Sequence, residues 1–266
     1  PIFPPSIPMV IYAMLSGASI GKLFMGGMVP GVLLAILLMI YVAFISHKRN
    51  YPAGVVMSKR EFLKATLQAL PALFTVVILL GGIYSGICTP TEAGAVASAY
   101  ALIISALIYK TLGWKKLWGI IKKSAANTAT LALLCGTSML FSYIISLEQV
   151  PRVVASLVMG ITDNRYVFLL ICNIMFLILG MIFDNNTITL VFIPMIYPLV
   201  QGFGIDPVHF GVMFVINMMI GMVTPPYGPL LFVTSAISET PLKDIIKEIL
   251  PMIAVMIAFL LVITYI

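Results

Sequence analysis

Apolar runs of about twenty residues recur from one end of this chain to the other. The hydrocarbon core of a bilayer is roughly 30 Å thick, and a helix needs about 20 apolar residues to cross it. The runs at 27–46, 67–87, 92–109, 127–147, 166–183, 187–203, 208–236 and 250–266 are long enough, and a shorter apolar piece lies at 151–161. Backbone groups find no water in such a core, so only helices or closed barrels can span it. The runs are too long for barrel strands and lack the alternation of polar and apolar residues that a barrel requires. Composition agrees. Of 266 residues, 61% are apolar and 9% charged, where a soluble domain carries about 25% charged residues. The expectation is an all-α polytopic membrane protein.

The basic residues are clustered, one group being Lys48, Arg49, Lys59, Arg60 and Lys64, the other Lys110, Lys115, Lys116, Lys122 and Lys123. The positive-inside bias assigns both to the cytoplasm, and the two spans between them are the even number this requires. The net charge of +6 is therefore a topology signal, and no nucleic-acid partner is expected. Segments 58–70 and 115–126 mix Lys with Leu, Ile, Phe and Trp at helical spacing. They predict amphipathic helices on the cytoplasmic surface, with plain connecting loops as the alternative. Cys88, Cys135 and Cys172 lie in or beside apolar runs without CxxC spacing, so neither a disulfide framework nor a transition-metal site is indicated.

An internal repeat carries more information. Pro4-Pro5-Ser6-Ile7-Pro8 resembles Pro225-Pro226-Tyr227-Gly228-Pro229 at an offset of 221, and the same offset pairs Lys22 with Lys243 and Pro30 with Pro251. The first copy runs out into the basic segment 47–64, whereas the second enters its last span just after Lys243 and Lys247. The copies thus point in opposite directions, and inverted repeats mark secondary transporters. One membrane domain is expected over 1–266, with 1–46 ending a first repeat, 47–126 forming basic connections, linking spans and surface helices, and 127–266 forming the second repeat. The second copy follows a long apolar block and the first does not, so a longer polypeptide with an earlier polar break upstream of Pro1 is expected.

Three motifs could carry chemistry. The run 208–236 is interrupted by Gly221-Met222-Val223-Thr224-Pro225-Pro226-Tyr227-Gly228-Pro229, and proline both removes a donor and clashes with the preceding turn. The break frees carbonyls, which with the Thr224 hydroxyl suit Na⁺, and exposes amides, which suit a carboxylate. The alternative is a structural kink. Asp184-Asn185-Asn186-Thr187 sits between two apolar arms and offers hard oxygen ligands at a hairpin tip, although an ordinary surface loop has the same composition. Gly86-Ile87-Cys88-Thr89-Pro90-Thr91-Glu92-Ala93-Gly94 reads as a capped helix start or as a further polar site. The candidate sodium ligands are Asp184, Asn185, Asn186, Thr187, Gly221, Thr224, Pro226, Gly86 and Thr89. The candidate substrate residues are Pro4, Pro5, Ser6, Pro225, Tyr227 and Gly228, and Ser6 and Tyr227 are expected to share a cavity. Glu148, Arg152, Asp163 and Arg165 flank short connections, and Asp206, Pro207 and His209 read as a helix start. No HExxH, Walker or GxGxxG motif is present, so no enzyme and no bound cofactor is expected.

The stretches 2–12, 86–97, Gly204-Ile205-Asp206-Pro207-Val208-His209-Phe210-Gly211 and 221–228 together resemble the large membrane subunit of the TRAP (tripartite ATP-independent periplasmic) transporters. The resemblance covers the C-terminal two-thirds or so of such a subunit. It implies an elevator-type carrier in the bacterial inner membrane, driven by sodium, with a re-entrant hairpin and broken helices. It also implies a small membrane subunit, a periplasmic binding protein and an organic acid substrate. Many members resemble Leu-Asp-Thr-Thr at the second polar break, where this chain has Phe183-Asp184-Asn185-Asn186-Thr187. That departure favours a hydroxylated substrate, sialic acid ahead of a C4-dicarboxylate. A passive channel and a scaffold without a transport path are the competing readings.

Overall fold

Prolines and capping residues decide where the apolar runs become helices. The computed structural model describes residues 2–51, 58–150, 152–153, 156, 160 and 162–266, apart from the side chains of 142 and 146. In chain order the helices are α1 (Ile7–Ser16), α2 (Ile20–Lys48), α3 (Lys59–Tyr84), α4 (Pro90–Ile103) with a π-helical turn at Ile104–Ile108, α5 (Trp114–Leu147), α6 (Arg165–Ile182), α7 (Asn185–Gly202), α8 (Pro207–Met222), α9 (Pro229–Ser238) and α10 (Leu242–Tyr265). No strand occurs among the described residues. Ser58 with Glu61, and Thr89 with Glu92, form reciprocal capping boxes at the starts of α3 and α4. Asn164, Asp184 and Asp206 each accept a backbone N–H of the helix they begin, satisfying donors that the first turn leaves open.

Six helices are long and apolar enough to cross a membrane: α2, α3, α4 with its π turn, α5, α6 and α10. Eight runs met that length in the sequence, and two change status. The run 208–236 breaks into α8 and α9, as its prolines require. The run 187–203 becomes α7, whose polar first turn and two internal prolines, Pro194 and Pro198, set it apart from the crossing helices. The separate surface helices expected at 58–70 and 115–126 are also corrected. Each is the first part of one continuous helix, α3 over 26 residues and α5 over 34. The apolar piece at 151–161 lies largely outside the described residues.

The chain packs as two compact units, residues 1–44 with 133–266, and residues 45–132. In the first, α8 is apolar all round and is the most enclosed element, with Phe210, Met213, Phe214, Val215 and Ile216 fully buried, as such a helix must be. Helices α6, α10 and α1 pack on it, and α1 also packs on α7. In the second unit α3 packs along α4. The phenols of Tyr100 and Tyr109 donate to the carbonyls of Pro71 and Gln68 at 3.0 and 2.7 Å.

Two stretches share one local plan. Helices α1 and α9 have ten residues each, are entered through a Pro-Pro pair, and lead through a short connection into the long helices α2 and α10. Pro30 and Pro251 lie inside those long helices.

Candidate functional site

Glycine sets the close approaches on which the site is built. At the crossing of α6 and α8, a Cβ on Gly221 would stand 2.7 Å from the Cα of Gly180 and 2.8 Å from its carbonyl carbon. Only glycine on both helices permits that approach. The Gly228 amide then donates to the Met181 carbonyl at 3.1 Å. The segment that breaks the 208–236 run is thereby tied to the arm that ends at the polar tip. Helix α1 is seated in the same way. A Cβ on Gly211 would fall 2.5 Å from the Tyr12 ring, and the Tyr12 hydroxyl donates to the Pro207 carbonyl at 2.7 Å. The Phe176 ring meets Phe214 edge-on at 4.7 Å behind it.

These contacts leave a cavity of about 380 Å³ where several helix ends meet. Pro5, Ser6, Ile7 and Pro8 from the start of α1 line it, together with Asp184, Asn185 and Asn186 from the start of α7. Leu230 at the start of α9, and Met219 and Met222 at the end of α8, complete the wall. Three helix N-termini therefore contribute to one space, each carrying a partial positive charge near half an elementary unit. The expectation from sequence counted two such starts, those of α1 and α9. The start of α7 is the third.

The polar atoms in this wall are unusual. Ser6 and Asn185 are 2% and 5% exposed, yet Ser6 Oγ and Asn185 Oδ1 have no hydrogen-bond partner within the protein. Ser6 stands at the N-cap of α1 but its side chain does not cap. A buried polar atom without a partner costs on the order of 1–3 kcal/mol, so water or a ligand in the cavity would complete these two. Asp184 is otherwise engaged, accepting from the Asn186 amide at 2.9 Å. Among the described residues, no Lys or Arg lines the cavity. Such a wall suits both a small hard cation, held by oxygen atoms, and a carboxylate, held by amides, the Ser6 hydroxyl and that cation.

The remaining candidates lie elsewhere. Thr224 is buried, its hydroxyl donating to the Ile220 carbonyl at 2.6 Å and its amide to the Gly221 carbonyl at 2.9 Å. It packs beneath the break and does not line the cavity. Pro4 is buried, and Thr187, Pro225 and Pro226 flank the cavity residues in sequence without lining it. The Pro4–Pro5 and Pro225–Pro226 peptide bonds are both cis. Gly228 has a φ of 41°, a left-handed conformation that favours glycine. Tyr227 is 54% exposed, with its ring 5.3 Å from that of Phe232, so the structure pairs Ser6 with Asn185 across the cavity rather than with Tyr227. Gly86 and Thr89 belong to the other compact unit. Gly86 has a φ of 71°, and Thr89 caps α4.

A buried polar chain was missed in the sequence. Asn217 Nδ2 donates to the Asn173 carbonyl and to its Oδ1 at 2.8 and 2.9 Å, and Asn173 Nδ2 donates to Thr264 Oγ1 at 2.9 Å. His209 Nε2 lies 3.1 Å from the Thr264 carbonyl. The signal was available as single asparagines inside apolar runs, which are costly in hydrocarbon unless paired.

Comparison with known proteins supplies a context for this geometry. A family described as "Tripartite ATP-independent periplasmic transporter, DctM component" matches residues 1–266. A C4-dicarboxylate TRAP transporter large permease protein of Pseudomonas aeruginosa is 39% identical over 100% of this chain and 62% of its own length. A sialic acid TRAP transporter large permease protein of Vibrio cholerae is 41% identical over 95% of this chain and 59% of its own. A 2,3-diketo-L-gulonate TRAP transporter large permease protein of Escherichia coli is 35% identical over 100% of this chain and 63% of its own. The chain thus spans about 60% of the length of these relatives.

Proposed function

Because this chain belongs to the DctM component family of the tripartite ATP-independent periplasmic transporters, integral proteins of the inner membrane, we propose that it forms the substrate-handling part of a sodium-coupled importer of organic acid anions. The small permease subunit and a periplasmic binding protein are its partners in this reading. The matching layouts of α1–α2 and α9–α10 support an inverted repeat moving as an elevator. The observation that carries the proposal is the pair of buried, unpartnered oxygens, Ser6 Oγ and Asn185 Oδ1, at a cavity built from three helix starts.

Sodium and substrate share this space. With no basic side chain in the wall, the carboxylate depends on helix ends, the Ser6 hydroxyl and the field of bound sodium. Asp184, Asn185 and Asn186 are the candidate sodium ligands that line the cavity, and Thr187, Thr224 and the carbonyls around Gly221 and Pro226 are candidates outside its wall. Gly86 and Thr89 are sodium candidates within their own unit, apart from this cavity. Pro4, Pro5, Ser6, Pro225, Tyr227 and Gly228 are the candidate substrate residues. Sodium should raise substrate affinity and, by linkage, substrate should raise sodium affinity by the same factor. Two adjacent amides, Asn185 and Asn186, at the rim favour a hydroxylated substrate, sialic acid ahead of a C4-dicarboxylate.

The test is uptake by the full-length permease, reconstituted in liposomes with its small subunit and binding protein. Labelled sialic acid and succinate are compared with and without an inward sodium gradient. Sodium-dependent uptake of one anion is expected, with Ser6→Ala raising the half-saturating substrate concentration and Asn185→Ala raising that of sodium. Uptake that ignores the sodium gradient would overturn the coupling. Equal sodium and substrate dependence in both variants would overturn the site.

A further inference from the structure

We propose that the cleft between the start of α3 and the π-helical turn after α4 binds one anionic glycerophospholipid. Its phosphate rests on Arg60 and Lys64, and an acyl chain follows the apolar wall beyond them. The cleft has a volume of about 750 Å³ and lies wholly within the 45–132 unit. One wall is a ladder on α3, where Arg60, Lys64, Leu67 and Pro71 recur at helical spacing and so share a face. Ile108 and Tyr109 form the other wall. The Tyr109 phenol donates to the Gln68 carbonyl at 2.7 Å and clamps the two walls together.

Three observations select the ligand. Arg60 and Lys64 are like charges one turn apart, an arrangement that repels, and neither has a carboxylate partner among the described residues. Glu61, the nearest carboxylate in sequence, accepts from the Ser58 amide and hydroxyl at 2.9 and 2.8 Å. The two cations are therefore open to an external anion. The ladder is also graded, with cations at its N-terminal end and Leu67, Pro71 and Ile108 beyond. Finally, α3 is long and apolar enough to cross the membrane, and its cations lie in its first turns. That puts the charges at headgroup depth and the apolar wall at acyl depth. A soluble anion would use only the first half of such a cleft, whereas an anionic lipid uses all of it.

The experiment titrates dioleoylphosphatidylglycerol or dioleoylphosphatidylcholine into the detergent-solubilised full-length permease and counts bound lipid by native mass spectrometry. One phosphatidylglycerol is expected to bind in preference to phosphatidylcholine. The double variant Arg60→Gln/Lys64→Gln should weaken it roughly thirtyfold, from the usual contribution of two basic groups at a membrane surface. The charge-keeping swap Arg60→Lys/Lys64→Arg should retain it, and Lys122→Gln/Lys123→Gln should leave it unchanged. Equal binding of both lipids by the wild type would overturn the proposal, as would an equal loss in the Lys122/Lys123 variant. Displacement of the lipid by glycerol 3-phosphate at comparable concentration would mean a headgroup-only anion site and would also overturn it.

Discussion

Helices α8 and α3 are both built from apolar runs, yet α8 buries eleven residues inside its unit while α3 buries none. The difference lies in small and polar residues rather than in apolar content. Helix α8 carries Gly211 and Gly221, which admit Tyr12 and α6 at backbone distance, and Asn217, which is bonded across to Asn173. Helix α3 carries large side chains at its surface, among them Phe62, Leu63, Leu67, Leu73 and Phe74, all exposed. Bilayer tails are as apolar as leucine, so apolar residues alone give helices no reason to leave lipid for one another. Close approach and buried hydrogen bonds supply that reason in the 1–44 and 133–266 unit. In the 45–132 unit, end caps fix where helices start and tyrosine-to-carbonyl bonds link neighbouring helices.

The strongest way to break this contrast is Gly221→Ala. The new methyl would meet the Gly180 backbone at 2.7 Å, which no rotamer change relieves. A loss of about 1–3 kcal/mol or more is expected, read as a lower thermal midpoint of the purified full-length protein. An unchanged midpoint would show that glycine contact does not hold α6 to α8. Next comes Asn173→Leu, which removes the side-chain bonds to Asn217 and Thr264 and leaves Asn217 only the backbone carbonyl at 173. It should cost about 1–3 kcal/mol on the same assay, and wild-type stability would mean that the polar chain is incidental. In the other unit, Thr89→Ala removes the α4 cap. About 1 kcal/mol is expected, seen locally as faster hydrogen exchange at the first amides of α4, with the α6–α8 crossing unaffected. The smallest effect should come from Gly119→Ala, a helical position with nothing within 4 Å of the added methyl. A gain of up to about 1 kcal/mol is expected there. Marked destabilisation would mean that the 45–132 unit is packed as tightly as the other.

Local rules made much of the fold legible. Proline at 225 and 226 had to break its run, Asp206 and Thr89 had to begin helices, and Asp184 had to mark a turn, because each acts on its immediate neighbours. The merger of the amphipathic 58–70 and 115–126 segments into α3 and α5 was not legible, since no local signal ends a helix between an amphipathic and an apolar stretch. The pairing of Ser6 with Asn185 was hidden for another reason. It depends on α1 resting in the Gly211 notch of α8, a contact between distant parts of the chain. The sequence pattern had instead suggested Tyr227, which the structure leaves exposed.

The Asn173–Asn217–Thr264 chain also has a bearing on how the protein is made. Asn173 and Asn217 are 44 residues apart, and Asn173 and Thr264 are 91 residues apart. During synthesis, α6 reaches the membrane well before α8 and long before α10. An asparagine amide alone in hydrocarbon is costly, so α6 is better satisfied once α8 brings Asn217 to it. Thr264 lies on α10, which follows α8 in the chain, and its hydroxyl accepts from Asn173 Nδ2. The Asn173–Thr264 bond is thus available only once α10 is in place, and it couples the arrival of α10 to consolidation of the bundle.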